Sequence, residues 1–261
     1  MRRVSKILAA LTLAVALTAV DAGAQSDDAA TWAERIQALA IEASNSGDDE
    51  GLREAAALAE RALTLHPQDA LLHHYHGYAL YRLAARHACD EDAEPGCVGR
   101  LLKRAEGSLQ VSLGLGPRAE SHALLGSVYG IMIGENGSLG ASLGPRIDDL
   151  QSRALSLDPE NPRVWLLKGI GEFHTPEAYG GGVVPARKAL ERAALAFQDD
   201  APPPPEPRWG AVDVHVWLGQ VLQAAGEIDR AREEYEKALV LEPDQAWVRD
   251  QLLPSLEAEG T

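Results

Sequence analysis

The chain has 261 residues and carries 39 acidic against 24 Lys and Arg side chains, a formal net charge of −15. So acidic a surface repels phosphate backbones and anionic lipid head groups, which argues against nucleic acid and anionic membranes as partners. The length suits one elongated repeat domain or two small globular domains.

Residues 1–24 have the anatomy of a secretory signal peptide. Arg2, Arg3 and Lys6 form a basic start, an apolar run follows over 7–20, and Ala22-Gly23-Ala24 is a small-x-small cleavage site. The apolar run is too short to span a bilayer comfortably, which disfavours an uncleaved anchor helix. We expect cleavage after Ala24, a mature chain 25–261 that is soluble and does not span a membrane, and a periplasmic or secreted location.

Two cysteines, Cys89 and Cys97, flank a short stretch that contains Pro95-Gly96, where the chain can turn back. Disulfides persist in exported proteins, so we expect these two residues to form one. A metal site is the alternative, but the spacing matches no zinc motif.

Small residues recur at fixed spacing along a mature chain that is rich in Ala, Leu, Glu and Arg and therefore favours helix. Gaps of 12, 7 and 5 separate the members of two sets: Ala43, Ala55, Ala62 and Pro67, and Gly219, Ala231, Ala238 and Pro243. A gap of seven is two helical turns, so both alanines share one face, and the proline falls where the helix cannot continue. The pattern predicts antiparallel helix pairs that pack closely at their small residues: Ala43, Ala55, Ala62, Gly77, Ala105, Ser127, Ala154, Gly169, Ala186, Ala193, Gly219, Ala231 and Ala238.

The stretch from Gly226 to Pro243 resembles a tetratricopeptide repeat, a helix–turn–helix unit of about 34 residues. The resemblance implies an all-α, TPR-like α-solenoid of about five units and a C-terminal capping helix. The units fall at 29–67, 70–117, 120–159, 162–200 and 211–243, with the cap at 244–258. The fourth unit lacks its terminal proline, and Pro202 to Pro205 follow as a polyproline-like spacer before Trp209.

The three middle units carry extra residues at the turn inside the pair, so we expect these insertions to cluster along one rim. The first two either extend the helices or form binding loops. The third, with Thr175-Pro-Glu-Ala-Tyr179-Gly-Gly, resembles a loop of a group of exported bacterial TPR proteins. Tyr179 either anchors this loop against the helices or faces a ligand, and anchoring is the interpretation that we favour.

A TPR-like stack implies a concave groove lined by the first helix of each pair, which would hold a protein or peptide partner. Our candidates for partner binding, with the loop tyrosine included, are His74, Tyr78, His122, Tyr129, Arg163, Lys168, Glu172 and Tyr179. The leading hypothesis is thus a non-catalytic exported scaffold. A solute-binding accessory component of a transport system is the alternative, and a hydrolase ranks last because no catalytic motif occurs.

Histidines cluster at His73, His74 and His76, and acidic residues at Asp90, Glu91, Asp92 and Glu94. His73 and His76 lie on one helix face and could share a metal, but no further ligand completes a set, so helix-surface or groove polarity is the preferred interpretation. The acidic run lacks the alternating oxygen ligands of a calcium loop. We therefore expect no metal, no cofactor and no catalytic residue.

Overall fold

The computed structural model describes residues 28–89 and 94–259, and all regular structure in these ranges is helical. The helices are α1 Ala29–Ser46, α2 Asp49–Leu65, α3 Ala70–Ala85, α4 Cys97–Leu115, α5 Ala119–Glu135, α6 Gly140–Leu157, α7 Pro162–His174, α8 Val183–Phe197, α9 Ala211–Ala224, α10 Ile228–Leu241 and α11 Leu253–Glu259. A π-helical turn, Val248–Leu252, precedes α11. The predicted all-α, TPR-like solenoid is confirmed.

Short polar side chains begin several of these helices. Asp28 accepts a hydrogen bond from the Thr31 amide at 2.7 Å, and Asp69 accepts from the amides of Leu71 and Leu72. Asn161 caps α7, where Pro162 occupies the first helical position and needs no amide partner. These caps fix where the first helix of a pair starts, and hence its register against its neighbours.

The helices stack as five antiparallel pairs, α1/α2 to α9/α10, and each pair packs on the next. Within three pairs, a glycine of the first helix receives a large side chain from the second. A Cβ on Gly77 would lie 2.6 Å from Cγ of Leu109, and one on Gly219 would lie 2.3 Å from the Tyr235 ring. The residues that we predicted to pack between helices are all buried except Ser127, which is half-buried.

The insertions take two forms. The first lies between the end of α3 at Ala85 and the start of α4 at Cys97, and the third forms the connection 175–182, with a short 3-10 turn at Glu177–Tyr179. The second is absorbed by the end of α5, a 3-10 turn at Gly137–Leu139 and the start of α6, so it extends helices.

The predicted disulfide is confirmed, because Cys89 and Cys97 are bonded across the first insertion. The predicted signal peptide, 1–24, and Asp90 to Asp92 of the acidic run lie outside the described residues. No helix among the described residues combines the length and apolarity that a membrane span requires.

Candidate functional site

The connection between α8 and α9 is unlike the other links between pairs. Residues 66–69, 116–118 and 158–161 link the earlier pairs, whereas 198–210 link the fourth pair to the fifth. This return segment, 198–210, contacts residues of α1, α3 and α7 and the residue before α5. Since these are the first helices of four successive pairs, the segment lies on the face that they form, which we call the inner face.

Main-chain groups of the return segment are held by side chains of the first two pairs. The Gln37 carboxamide accepts a hydrogen bond from the Arg208 amide at 2.6 Å and donates to the Glu206 carbonyl at 3.2 Å. The Tyr75 hydroxyl donates to the Pro205 carbonyl at 2.6 Å. Both side chains are buried, so they act as fixed partners for an extended backbone.

Three arginines of the inner face pair with acidic residues in or just after the return segment. These pairs are Arg163 with Asp200, Arg118 with Glu206, and Arg82 with Asp213, the last at 2.9 Å. The Arg163 pair is bidentate, and the Arg163 side chain is only 2% exposed. Arg82 lies on α3 and Asp213 on α9, so this ion pair joins the second helix pair to the fifth.

Trp209 fills a tryptophan pocket formed by His74, Tyr78 and Arg163. Its ring stacks on Tyr78 at 4.9 Å between centroids, lies 6.4 Å from the His74 ring, and has the Arg163 guanidinium 6.0 Å away. The next residue is glycine for a steric reason: Gly210 has φ +107°, and a Cβ there would lie 2.8 Å from the Phe197 ring. The indole is therefore placed by a tight backbone turn.

The buried histidines of α3 are neutral at pH 7. Burial, with Arg118 and Arg163 nearby, holds the pKa of His74 well below its usual value, and its Nδ1 lies 2.9 Å from the Ser121 hydroxyl. Burial also lowers the pKa of His76 to about 4, against the opposing effect of Glu60. Nδ1 of His76 lies 2.7 Å from the Ser108 hydroxyl, so this side chain joins α3 to α4.

Three of the predicted partner-binding residues lie together in the structure, and the others lie elsewhere. His74, Tyr78 and Arg163 converge on Trp209, but the return segment covers them. His122 bonds the Arg118 carbonyl within its own helix turn. The groove placement of Tyr129 is wrong, because this side chain is buried and its hydroxyl donates to Glu106 of α4.

The remaining candidates lie at or beside the rim loop, 175–182. Lys168 and Glu172 form an ion pair of 2.7 Å with each other, and the Glu172 carbonyl accepts from the Gly182 amide of the loop. The interpretation of Tyr179 as an anchor is wrong, because its side chain is 82% exposed. The loop is held by its main chain, and a Cβ on Gly181 would lie 2.1 Å from the Thr175 carbonyl oxygen.

Sequence reasoning missed Gln37, Tyr75 and Arg118, which hold the return segment. One signal was available: the fourth unit lacks its closing proline, and a proline-rich stretch with a tryptophan follows. The sequence predicts a spacer at this stretch, whereas the stretch is packed along the inner face.

Beyond the return segment, the inner face stays open at its C-terminal end. Here Phe173, His174, Trp217 and Trp247 form an aromatic patch, with ring centroids 5.4 to 6.5 Å apart between residues of α7, α9 and the final helical segment. His174 is exposed and the other three are half-buried. The exposed Tyr179 lies on the rim loop that directly follows α7.

The described residues contain no group of three His, Cys, Asp or Glu side chains placed to hold a metal ion. Nε2 of His73 lies 3.0 Å from the Pro67 carbonyl oxygen. A cleft of about 430 Å³ beside the disulfide is open to solvent and has Arg53, Arg100 and Arg104 among its lining residues. It differs from the enclosed apolar cavity that a solute-binding role predicts.

Comparison with known proteins agrees with this architecture. The family model for the tetratricopeptide repeat matches residues 212–245, which is the fifth helix pair. A thermophilic TPR protein of Thermus thermophilus, TTC0263, is similar in structure, with a TM-score of 0.58 and 19% identity over 87% of this chain and 99% of its own. The HusA haemophore of Porphyromonas gingivalis has a TM-score of 0.60 and 21% identity over 74% of this chain and 94% of its own.

The sequence matches no curated protein. The all-helical structure and its similarity to the Thermus protein show that the chain is a helical-repeat protein with the fold of TPR solenoids. More particularly, it contains a tetratricopeptide repeat at 212–245.

Proposed function

We propose that this protein is an exported, non-catalytic scaffold of 25–261 that binds a protein or peptide partner at the open end of its inner face. One observation carries the proposal: His174 of the aromatic patch and Tyr179 of the rim loop are exposed, and the other aromatic side chains of the patch are only half-buried. Aromatic side chains that stay accessible to solvent are typical of interaction sites, and tryptophan and tyrosine are enriched among the residues that dominate binding energy. The disulfide supports the exported part of the proposal, since such bonds persist outside the cytosol.

The rim loop would supply the second wall of this site. Its backbone is fixed by the hydrogen bond from the Gly182 amide to the Glu172 carbonyl, at 2.7 Å, and by Gly181, which no larger residue can replace without displacing Thr175. A rigid loop that presents one aromatic side chain loses little entropy on binding. Tyr179 therefore suits partner contact better than core packing.

Capture of partners from the exported fraction tests the proposal. Wild-type protein is compared with Trp217→Ala, with a variant whose residues 176–182 are replaced by the two-residue turn Gly-Asp that links α1 to α2, and with the control Trp165→Ala. Trp165 lies under the Arg192 guanidinium, at 4.1 Å, and outside the aromatic patch.

A partner identified in this way should bind the purified wild type and the Trp165→Ala control equally. It should bind Trp217→Ala at least about tenfold more weakly, as expected for a central aromatic contact. If neither capture nor binding differs among the variants, or no protein rises above background, the proposal is wrong.

A further inference from the structure

We propose that the inner face of the first four pairs is a peptide-binding groove that the return segment occupies in cis. In place of this segment the groove takes an extended, proline-containing peptide of a partner protein, with a glutamate three residues before a tryptophan. The inference rests on the proposed function as a binding scaffold, but it concerns a part of the inner face that is closed in this structure.

The length of the return segment is the first argument. Three or four residues suffice to link the earlier pairs, whereas the fourth and fifth pairs are linked by 198–210, although α8 and α9 pack directly on each other. Helix stacking therefore does not need the excursion to Gln37 and Tyr75. The extra length serves to place Pro205 to Trp209 on the inner face.

The mode of contact is the second argument. A buried carboxamide, that of Gln37, both accepts from and donates to the main chain of the segment, and a buried hydroxyl, that of Tyr75, donates to a proline carbonyl. Contacts of this kind recognise an extended backbone and do not depend on the identity of the residues that carry it. Prolines keep such a backbone extended before it binds, which lowers the entropy lost on binding.

Two side chains of the return segment make specific contacts with the groove, and they indicate the chemistry of its occupant. Glu206 pairs with Arg118, and Trp209 enters the pocket of His74, Tyr78 and Arg163. Both positions favour an acidic residue and a large aromatic residue at that spacing. A basic peptide would meet Arg118 and Arg163 and be repelled.

The fit of the return segment also leaves room for a competitor. Ala201, Pro203, Pro204 and Arg208 are exposed, so the outer side of the segment is not packed under other residues. Among the described residues, none hydrogen-bonds to Nε2 of His74 or Nε of Arg163, although both atoms are buried at the tryptophan pocket. A partner peptide with an acceptor near its tryptophan would gain a hydrogen bond from Nε of Arg163.

A cis occupant acts as a tethered competitor. If the segment fills the groove nine-tenths of the time, the apparent affinity for an external peptide falls about tenfold, because only the open fraction can bind. Releasing the segment should restore this affinity without changing the rest of the groove.

Binding of a labelled synthetic peptide, Pro-Pro-Pro-Pro-Glu-Pro-Arg-Trp-Gly, tests the inference by fluorescence anisotropy on the full-length protein. We expect Trp209→Ala to bind it at least about tenfold more tightly than wild type does, since the pocket is then empty of the chain's own tryptophan. Adding Gln37→Ala to this variant should abolish the gain. Trp165→Ala, the same substitution outside the groove, should bind as wild type does, and a peptide with alanine in place of its tryptophan should not bind.

A second variant covers the case in which Trp209→Ala does not fold. Glu206→Arg reverses a 41% exposed charge that faces Arg118, so it should loosen the segment and leave the tryptophan pocket intact. It too should bind the peptide more tightly than wild type. If the folded variants bind the peptide no better than wild type, the inference is wrong.

Two further results have distinct meanings. A concentration-dependent dimer of wild type that Trp209→Ala abolishes would assign the groove to a second copy of this chain and overturn the partner assignment. Failure of the peptide to bind, together with partner capture that depends on Trp217, would refute this inference and leave the proposed function standing. Peptide binding without any captured partner would refute the proposed partner site at the aromatic patch and leave the peptide-binding groove standing.

Discussion

Two glycines of α7, two residues apart, should differ in how their substitution by alanine changes the stability of the protein. A Cβ on Gly169 would lie 2.5 Å from Cγ of Leu190 and 3.2 Å from the Leu190 main-chain nitrogen, whereas a Cβ on Gly171 meets no atom within 4 Å. Alanine at either site gains helix propensity of about 1 kcal/mol. Overpacking at Gly169 costs about 1–3 kcal/mol, because the main chain of α8 cannot retreat as a side chain can.

The propensity gain is common to both variants, so their difference isolates the packing cost. We expect Gly171→Ala to be more stable than wild type, and Gly169→Ala to be less stable than Gly171→Ala by about 1–3 kcal/mol. Urea unfolding followed by circular dichroism measures both free energies. Equal free energies of unfolding for the two variants would refute the claim that the glycine register brings the helices of a pair together.

Three more predictions follow from contacts outside that register. Reducing the disulfide, or Cys97→Ser, should lower the free energy of unfolding by about 2–3 kcal/mol, the entropy of a short closed loop, and thermal melts with and without reductant measure this. Asp213→Asn should lower it by up to about 3 kcal/mol, because Arg82 is then left without its partner, and adding Arg82→Gln should recover part of the loss. The pKa of His76 is about 4 when folded, so the unfolded chain binds a proton first and stability falls as pH drops from about 6.5 to 4, by on the order of 3 kcal/mol. His76→Gln should remove this part of the pH dependence in urea unfolding curves measured at pH 7 and pH 4.5.

The helix stack could be predicted from the sequence because its cause is local. Gly219, Ala231 and Ala238 stand at fixed intervals, and a proline ends the second helix wherever the interval is complete. Helix pairs need small residues where they cross, so the spacing carries the architecture. The spacing does not predict which large side chain packs against each glycine, such as Leu190 at Gly169 or Tyr235 at Gly219. Several large residues of the second helix lie near the crossing point, and the sequence alone does not distinguish among them.

The state of the inner face could not be predicted in the same way. His74 and Tyr78 do lie on this face, but the bond from Tyr75 to Pro205 spans 130 positions of sequence. No periodicity links residues so far apart, and a proline-rich stretch between helices fits a spacer as well as a packed segment. Tyr129 was misplaced for a different reason: its hydroxyl is satisfied by Glu106 of the neighbouring helix, and an aromatic side chain on a helix gives no sign in the sequence of which neighbour its polar end will meet.

The charge of the inner face is opposite to the net charge of the chain. The chain has a net charge of −15, yet Arg82, Arg118 and Arg163 lie together on this surface, and each is paired with an acidic residue of 200–213. Asp213 belongs to α9 and would stay paired with Arg82 if the return segment moved. Release of the segment would therefore leave Arg118 and Arg163 without their acidic partners. A basic groove in an acidic protein attracts acidic peptides while the rest of the surface repels them. The same charges that hold the segment in cis would therefore select its replacement, and added salt should weaken both.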